Sequence, residues 1–370
     1  MKRILTAILC LCLCFGTVRA ASEAPAVQAE RALAEKCGVS AGQLLADRDT
    51  LPAGSSGSDW LAMAFALGGV PERYQTYRQA LEDYVTDCYA KEGSLSTTKA
   101  TEYHRIALTV LALGGDPTAF GKKPDGSSVN LIAEGTYAFA GTLGAQGLNG
   151  WIFAMIALDA GNDPVPEGAA VTRDTIRAAI LAAQEPDGGF GLTTGASDVD
   201  ITAMALQALA PYEADCADAV DRALTYLSGQ QTEDGGFVSY GDENPESCAQ
   251  VLIALTALGI DPDRDDRFVK NGKTAENAMD RYLRPDGTYR HSLTETKANM
   301  IATAQALLAK AALAKSRSGG GRLYDMTGVT APAESKAGVS PIWVLIPVGI
   351  VGVAAGAAVG VRRKRNGKTD

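Results

Sequence analysis

Six apolar, alanine-rich runs recur along the chain at intervals of roughly 50 residues, a spacing typical of repeat architectures. They align on Ala66, Ala112, Ala157, Ala208, Ala257 and Ala306. The runs are apolar on nearly every side, which predicts buried helices, and amphipathic stretches such as "TRDTIRAAILAAQ" lie between them. Each repeat is therefore expected to pair one buried inner helix with one polar-faced outer helix. Six such hairpins close into a ring, so the predicted fold is an all-α toroid.

Glycine-rich turns are expected to end several outer helices. The stretches "PDGGFG" (186–191), "EDGGF" (233–237) and "PDGTY" (285–289) each combine an aspartate with glycine and an aromatic residue. Glycine permits a positive φ and the aspartate side chain can bond the turn backbone. The aromatic side chain can then pack back between neighbouring repeats.

These turns resemble those of a known superfamily. Gln184 and Gln231 each precede a phenylalanine by six residues, so "QEPDGGF" and "QTEDGGF" resemble the glutamine–aromatic repeats of terpenoid cyclases and protein prenyltransferases. The resemblance implies an α/α (α6/α6) toroid over about residues 55 to 313, as in bacterial surface proteins with prenyltransferase/squalene oxidase-type repeats. Substitutions relative to the family pattern are Phe190, Phe237 and Tyr289 for its usual tryptophan and Leu283 for a glutamine.

The segment "DVDITA" adds a candidate for acid catalysis. In cyclases of the squalene-hopene type, an Asp-X-Asp-Asp-Thr-Ala segment opens an inner helix and protonates the substrate. The resemblance covers Asp198, Asp200, Thr202 and Ala203, whereas Ile201 replaces the third carboxylate. It implies a terpenoid cyclase-like or prenyltransferase-like enzyme in which Asp200 is the general acid and Asp198 lies beside it.

A second interpretation of the same segment is a helix cap. Asp198 and Asp200 stand just before an apolar helix, where their oxygens can accept hydrogen bonds from free backbone N–H groups. The helix dipole favours the ionised form there, the opposite of what a proton donor needs at neutral pH. Aromatic residues, which would stabilise a carbocation, are 6% of the chain, and its length suffices for one helical barrel. These observations favour the cap.

No metal or cofactor is predicted. The zinc-binding Asp-X-Cys of the protein prenyltransferases is absent from the sequence, and its histidines are His104 and His291. The acidic loop "DPDRDD" (261–266) lacks the glycine and the glutamate that a calcium loop needs at its sixth and twelfth positions.

The two ends of the chain predict secretion and membrane anchoring. The first residues have the basic start, apolar stretch and small final residue of a signal peptide. A C-terminal run without charge is long enough for one transmembrane helix, and "RRKR" follows it on the expected cytoplasmic side. The predicted organisation is a signal peptide (1–20), an N-terminal segment (21–54), the toroid (55–315), a flexible linker (316–340), the span (341–361) and a basic cytoplasmic tail (362–370). The toroid would then lie outside the cell membrane.

The net charge, the cysteines and the glycines predict, in turn, which partners are excluded, which disulfides can form and where the chain can self-associate. The formal net charge of −9 argues against nucleic acid as a partner. The cysteines outside the predicted signal permit two disulfides, Cys37–Cys88 and Cys216–Cys248, with free thiols as the alternative. A four-residue spacing in the predicted span offers a face for self-association at Gly352, Gly356 and Gly360.

The pole at which the inner helices begin is the candidate binding site. It is expected to gather Asp59, Trp60, Tyr103, His104, Trp151, Asp198, Asp200 and Thr202. A concave end with polar and aromatic groups is a usual place for a small-molecule ligand. The ring is also similar to the helical barrel of intrinsic factor and transcobalamin, which implies cobalamin as a candidate ligand. The sequence therefore favours a membrane-anchored module that binds a ligand or a cell-surface partner, with the enzyme as the alternative.

Overall fold

The computed structural model describes residues 24–239 and 241–335 of the 370-residue chain. The α-helices are α1 (Pro25–Cys37), α2 (Ser56–Leu67), α3 (Tyr74–Glu92), α4 (Ala100–Ala112), α5 (Leu131–Gly135), α6 (Leu148–Ala160), α7 (Arg173–Ala182), α8 (Val199–Leu209), α9 (Ala217–Gln230), α10 (Pro245–Ala257), α11 (Ala275–Asp280) and α12 (Met300–Arg317). Short 3-10 helices occupy Leu44–Ala46, Pro117–Ala119, Leu143–Gln146, Ala210–Asp215 and Asp266–Phe268. Two short strands, β1 (Val238–Ser239) and β2 (Asp242–Glu243), pair antiparallel.

The even-numbered helices form a closed inner ring. Each packs against the next even-numbered helix, and α12 packs against α2. The odd-numbered helices lie outside this ring, with α7 against α6, α9 against α8 and α11 against α10. The remaining outer place, between α12 and α2, is filled by α1, which the sequence analysis left within an N-terminal segment. The predicted α/α toroid is thus confirmed.

The side-chain amides of Gln184 and Gln231 each bond their own glycine-rich turn to the outer part of the next repeat. Gln184 Nε2 donates to Gly188 O of its own turn at 2.9 Å and to Ala219 O of α9 at 2.8 Å. Gln231 Nε2 likewise donates to Gly235 O at 2.9 Å and to the backbone carbonyl at the end of the 3-10 helix Asp266–Phe268 at 3.0 Å. The glutamine–aromatic turns therefore bond neighbouring repeats to each other. This structural role explains why the turns identify the fold and say less about the reaction.

Replacing the turn glycines by alanine is expected to lower the stability of the fold to different extents. Gly188 has a φ of +90°, and a Cβ there would lie 2.6 Å from Arg222 O of the next outer helix. Gly195, in the same loop, has a φ of +98° with nothing within 4 Å of the added atom. We expect Gly188→Ala to lower the free energy of unfolding by about 2–3 kcal/mol and Gly195→Ala by about 1 kcal/mol, because only the first adds a backbone clash. Urea unfolding measures both; equal losses would contradict the clash.

The chain after α12 turns back across the pole at which the inner helices end. Met326 N donates to Ala160 O, at the end of α6, at 2.9 Å, and Leu323 and Met326 are 2% and 3% exposed. Farther on, Ser335 N donates to Glu72 O at 3.0 Å. Where the structure describes it, the predicted flexible linker therefore packs on the ring, because the apolar side chains of "RLYDM" (322–326) are buried there.

The membrane predictions concern residues that the structure does not describe. Between residues 24 and 335, leaving out 240, no helix is long and apolar enough to cross a membrane. The predicted signal peptide, the span at 341–361 and its glycine face lie outside the described residues. These predictions stay predictions.

The four cysteines of the described region are free thiols, so the predicted disulfides Cys37–Cys88 and Cys216–Cys248 are not formed in this structure. Cys216 immediately precedes the outer helix α9, whereas Cys248 lies in the first turn of the inner helix α10. Because α9 alone spans about 20 Å, its two ends lie at opposite poles of the ring, and a disulfide needs Cα atoms within about 7 Å. Cys37 and Cys88 lie on α1 and α3, the outer helices on either side of α2.

Candidate functional site

The inner ring encloses a cavity of about 370 Å³ toward the pole where the inner helices begin. Volumes of about 300–1,000 Å³ are typical of small-molecule sites. Every inner helix contributes to the wall. The cavity is lined by Ser56, Trp60, Thr101, Glu102, Arg105, Gln146, Asn149, Phe153, Leu192, Met204, Gln250, Gln305, Leu308 and Tyr324.

Two carboxylates lie one helical turn before cavity-lining residues, and neither carboxylate is itself part of the cavity lining. Residues four apart share one face of a helix. Asp200 lies one turn before Met204 on α8, and Glu246 lies one turn before Gln250 on α10. Met204 and Gln250 both line the cavity. Helix geometry therefore places Asp200 and Glu246 on the cavity side of their helices, nearer the pole.

Asp198 is the cap of α8. Its Oδ1 accepts from Asp200 N at 2.9 Å and from Ile201 N at 3.1 Å, and its Oδ2 accepts from Ser239 Oγ at 2.8 Å. Asn299 caps α12 with the same pair of backbone bonds. Because the equivalent cap Asn299 is uncharged, Asp198 is explained by its hydrogen bonds as a helix cap, and its charge is not needed for that role.

Asp200 has a different environment from Asp198. Its Oδ1 is buried and has no hydrogen-bond partner in the described part of the chain. Burial raises the pKa of Asp200 to about 6; the nearby hydroxyls of Ser247 and Ser239 oppose the rise, and the charges of Asp198 and Glu246 add to it. Burial therefore outweighs the helix dipole, and part of the population keeps its proton near neutral pH, as a proton donor requires. The cap and the acid are both present in "DVDITA", on different residues.

A second acid–base pair adjoins Asp200. Glu246 Oε1 lies 2.9 Å from His291 Nδ1, burial raises the pKa of Glu246, and the hydrogen bond to the Glu246 carboxylate raises the pKa of His291. Glu246 Oε2 and Ser247 Oγ are buried without a hydrogen-bond partner among the residues described, as is Asp200 Oδ1. Unsatisfied polar atoms in one region are the pattern expected where a water molecule or a polar substrate group binds.

Arg105 forms the charged part of the cavity wall. Its Nε donates to Asp59 Oδ2 at 2.9 Å, and its Nη2 lies 2.8 Å from Glu102 Oε2. Asp59 is fully buried and also accepts from Tyr77 Oη at 2.7 Å and from Gly54 N at 3.0 Å. Asp59 is therefore a structural anchor, and Arg105, which the sequence analysis missed, is the residue of this pair that reaches the cavity. Its position, one turn after the cavity-lining Thr101 on α4, was the signal that could have found it.

Three aromatic residues border the cavity. The ring centroids of Trp60 and Phe153 lie 6.1 Å apart with an interplanar angle of 59°, and Tyr324 also borders the cavity. An aromatic face attracts a cation by about 0.5–2 kcal/mol, more where water is excluded. The cavity therefore offers three aromatic faces to a cation although the aromatic content of the chain is low.

Two predicted site residues are buried on α4, away from the cavity. Tyr103 and His104 are 2% and 0% exposed. His104 Nε2 lies 2.6 Å from Gly135 O, and burial lowers the pKa of His104 to about 4. Both residues contribute to the packing of α4 against α5.

Thr202 and Trp151 also stand outside the cavity lining. Thr202 is fully buried, and its Oγ1 accepts from Phe190 N at 2.8 Å and donates to Asp198 O at 2.7 Å, which ties the glycine-rich turn to α8. Trp151 is partly buried, with its indole beside Gly144. Of the residues predicted at the pole, Trp60 lines the cavity, Asp198 caps α8 and Asp200 lies in the first turn of α8, one turn before the cavity-lining Met204.

Residues 142–310 match the family model of the "Prenyltransferase alpha-alpha toroid domain". Over these residues the chain is similar to a prenyltransferase-type toroid. The match includes the turns of Gln184 and Gln231 and the segment with Asp200, and it confirms the resemblance to the terpenoid cyclase and prenyltransferase superfamily.

Two drimenyl diphosphate synthases are similar to part of the chain. The protein from Streptomyces showdoensis is 32% identical over 126 residues, which cover 33% of this chain and 23% of the relative. The protein from Streptantibioticus cattleyicolor is 31% identical over 147 residues, which cover 38% of this chain and 26% of the relative. The chain thus spans about a quarter of the length of these curated relatives. Among solved structures, Candida albicans protein geranylgeranyltransferase-I complexed with GGPP aligns with a TM-score of 0.47 and 10% identity, over 79% of this chain and 92% of that chain.

The expectation of a surface module that binds cobalamin or a partner is wrong. The matched family and the two synthases favour a terpenoid or prenyl enzyme instead. The structure supplies the physical reason: Asp59, Tyr103, His104 and Thr202, which were expected to face a ligand, are buried in the packing of the ring.

Proposed function

We propose that the chain is a terpenoid cyclase-like enzyme that holds a linear prenyl substrate in the central cavity and starts ring closure by protonating its terminal alkene. The observation that carries this proposal is the buried carboxyl of Asp200, with a pKa of about 6, one helical turn before Met204, which lines the central cavity together with Trp60 and Phe153. The similarity to two drimenyl diphosphate synthases supports a prenyl diphosphate as the substrate class.

The proposed reaction adds one proton to the substrate and later removes one proton from it. Asp200 transfers its proton to the CH carbon of the terminal alkene, the π electrons form the new C–H bond, and a tertiary carbocation is left on the adjacent carbon that carries the two methyl groups. The next alkene of the chain attacks this cation and closes a ring. A neighbouring C–H then loses its proton to water, and Asp200 regains a proton from solvent, so the substrate is isomerised without net gain or loss of atoms.

Ile201 replaces the third carboxylate of the cyclase motif, but another helix supplies a carboxylate near Asp200. Ile201 is 4% exposed and packs in the core, whereas Glu246 on the neighbouring helix α10 brings a second carboxylate close enough to raise the pKa of Asp200. A like charge nearby favours the protonated form of an acid. Glu246 thus supports the acid role of Asp200 from the next repeat.

The direct test is product analysis in heavy water. The purified chain is incubated with geranyl, farnesyl and geranylgeranyl diphosphates in D2O, the products are dephosphorylated, and the alcohols are separated by gas chromatography with mass detection. We expect a cyclic alcohol that carries one deuterium on carbon, because the proton from Asp200 exchanges with solvent before each turnover. Recovery of linear, undeuterated alcohols alone from all three substrates would sink the proposal.

The aromatic wall makes a prediction about rate. We expect Trp60→Ala to lower the rate of cyclisation about tenfold and Trp60→Phe to lower it less, because the cation loses an aromatic face worth about 0.5–2 kcal/mol. Trp151→Ala is the matched control, since Trp151 does not line the cavity. Single-turnover kinetics at saturating substrate give the rates; an equal loss for the Trp60 and Trp151 variants would indicate a general effect on folding.

We also propose, from the sequence of the termini, that the toroid is displayed outside the cell membrane with its C-terminus in the cytoplasm. The supporting features are the signal-like residues 1–20 and the uncharged run 341–361 before "RRKR". Treating intact cells with a protease tests the topology. Loss of the toroid with protection of a C-terminal tag is the expected result, and protection of both parts would contradict it.

A further inference from the structure

Glu30 and Glu72 form a buried pair of carboxyl groups beside the ring. Glu30 lies on α1, the outer helix between α12 and α2, and Glu72 lies two residues before α3. The two residues are 2% and 0% exposed, and the carboxyl of Glu72 is hydrogen-bonded to that of Glu30. An ionised carboxylate can only accept hydrogen bonds, so this bond exists only while the pair holds a proton.

The two carboxyls also bond three segments of backbone. Glu30 Oε1 accepts from Gly42 N at 2.7 Å. Glu72 accepts from Leu44 N at 2.8 Å and from Arg73 N at 2.7 Å. The pair therefore connects α1, the turn that follows it and the start of α3.

The backbone of Glu72 holds a fourth segment, the strap, which consists of residues 322–335. Glu72 N donates to Ala333 O at 3.3 Å, and Ser335 N donates to Glu72 O at 3.0 Å. The strap reaches Glu72 after it has crossed the pole at which the inner helices end, and its residue Tyr324 borders the central cavity. Movement of Glu72 would therefore loosen the strap as well as α1.

A second negative charge at this pair is unfavourable. Burial and the charge of Glu30 raise the pKa of Glu72 to about 8, although the hydrogen bond from Arg73 N opposes the rise. The Arg73 guanidinium faces the strap, where its Nη1 donates to a backbone carbonyl at 3.2 Å. The carboxylate of Glu334, on the strap, adds a further negative charge, which together with Glu72 and Glu30 raises the pKa of Tyr74. The turn at 38–46 carries no ionisable side chain.

We propose that Glu30 and Glu72 form a proton-dependent clasp that holds α1 and the strap on the ring. While the pair shares a proton, the carboxyls are bonded to each other and both segments stay in place. When both carboxyls are ionised, two like charges repel each other in a buried site, and the segments separate from the ring. Opening of the clasp would also remove Tyr324 from the wall of the central cavity. The clasp is independent of the proposed reaction.

The direction of the pH dependence follows from the protons bound. The pKa of Glu72 is raised from 4.5 to about 8, so the closed state binds more protons than the open state between these values. The contribution of the pair to closure is therefore full at low pH and is lost as pH rises through about 8.

Hydrogen exchange of the full chain, read by mass spectrometry between pH 6 and pH 8, tests the clasp. After correction for the intrinsic exchange rate at each pH, we expect exchange in α1 and in the strap to rise at least about tenfold, with no such rise in α9. Glu30→Gln should remove the rise in both segments, because its amide can accept from Gly42 N and still donate to an ionised Glu72. Glu35→Gln, which removes an exposed carboxylate from the same helix, should retain the rise.

Three results would overturn parts or all of this inference. Absence of a rise in the unchanged protein, or an equal rise in Glu30→Gln, would overturn the clasp. A rise in α1 without one in the strap would overturn the connection between the two segments. If Glu30→Gln does not fold, which a thermal melt reveals, Glu72→Gln takes its place, since loss of either ionisable group removes the repulsion. Because no substrate is present, failure of the clasp leaves the proposed function to its own test in heavy water.

Discussion

Replacing Asp200 by asparagine is expected to abolish cyclisation and to stabilise the fold at neutral pH. The amide cannot donate a carboxyl proton, so we expect the rate to fall by at least about 10³-fold, near the upper part of the range for general acids. The ionised carboxylate of Asp200 is disfavoured by burial, as its pKa of about 6 shows. A neutral amide avoids that cost, and we expect a gain on the order of 1–2 kcal/mol in the free energy of unfolding, allowing for partial exposure.

The pH dependence distinguishes this effect from a general change in packing. Because the pKa of Asp200 is raised from 3.8 to about 6 on folding, the folded state binds more protons than the unfolded state between these values. Its contribution to stability is therefore full at low pH and is lost as pH rises through about 6. Thermal or urea unfolding should show the unchanged protein and Asp200→Asn closest together near pH 4 and farthest apart above pH 7. Activity of the unchanged protein should fall over the same upper range, as the acid ionises.

Asp198→Asn is the matched control for this variant. Asparagine caps a helix about as well as aspartate, so we expect little change in stability and a retained cyclisation rate within about tenfold. The interpretation of Asp200 as the acid would fail if Asp200→Asn kept the rate of the unchanged protein. It would also fail if the Asp198 variant, and not the Asp200 variant, lost the reaction.

Removing the buried carboxylate of Asp59 is expected to have the largest effect on stability. Asp59→Ala takes the Nε partner from Arg105 and leaves Tyr77 Oη and Gly54 N without their acceptor. Breaking a buried ion pair by removing one partner costs about 3–5 kcal/mol, because polar groups remain buried and unpaired. Since Arg105 also contacts Glu102, we expect a loss near the lower end of that range. Urea unfolding at pH 7 gives the value.

An exposed ion pair provides the comparison for Asp59. Asp87 and Lys91 are 3.4 Å apart, with side chains 69% and 70% exposed, so Asp87→Ala should change the stability by less than about 0.5 kcal/mol. The double replacement Asp59→Leu with Arg105→Met should recover only part of the loss, because it removes the buried guanidinium that Asp59→Ala leaves unpaired but also takes the partner from Glu102. An equal effect of Asp59→Ala and Asp87→Ala would show that the buried network contributes little to the fold.

Two of the disagreements between sequence and structure have one origin. The hypothesis of a binding pole treated every polar or aromatic residue near the start of an inner helix as exposed to a ligand, although Tyr103 and Thr202 point into the packing between layers. The objection from aromatic composition counted rings along the chain, although Trp60 and Phe153 meet across the ring. Both errors come from properties that depend on which side of a helix faces the axis.

The repeat, the all-α ring and the resemblance in "DVDITA" could be predicted from the sequence alone. Apolar periodicity, glycine turns and helix caps are local properties of short stretches of chain. The tertiary structure was needed to show that Asp198 caps α8, that burial raises the pKa of Asp200, and that Arg105 reaches the cavity. Those facts depend on burial and on contacts between residues far apart in sequence, which exist only once the ring has closed and the segment after α12 has folded back across it.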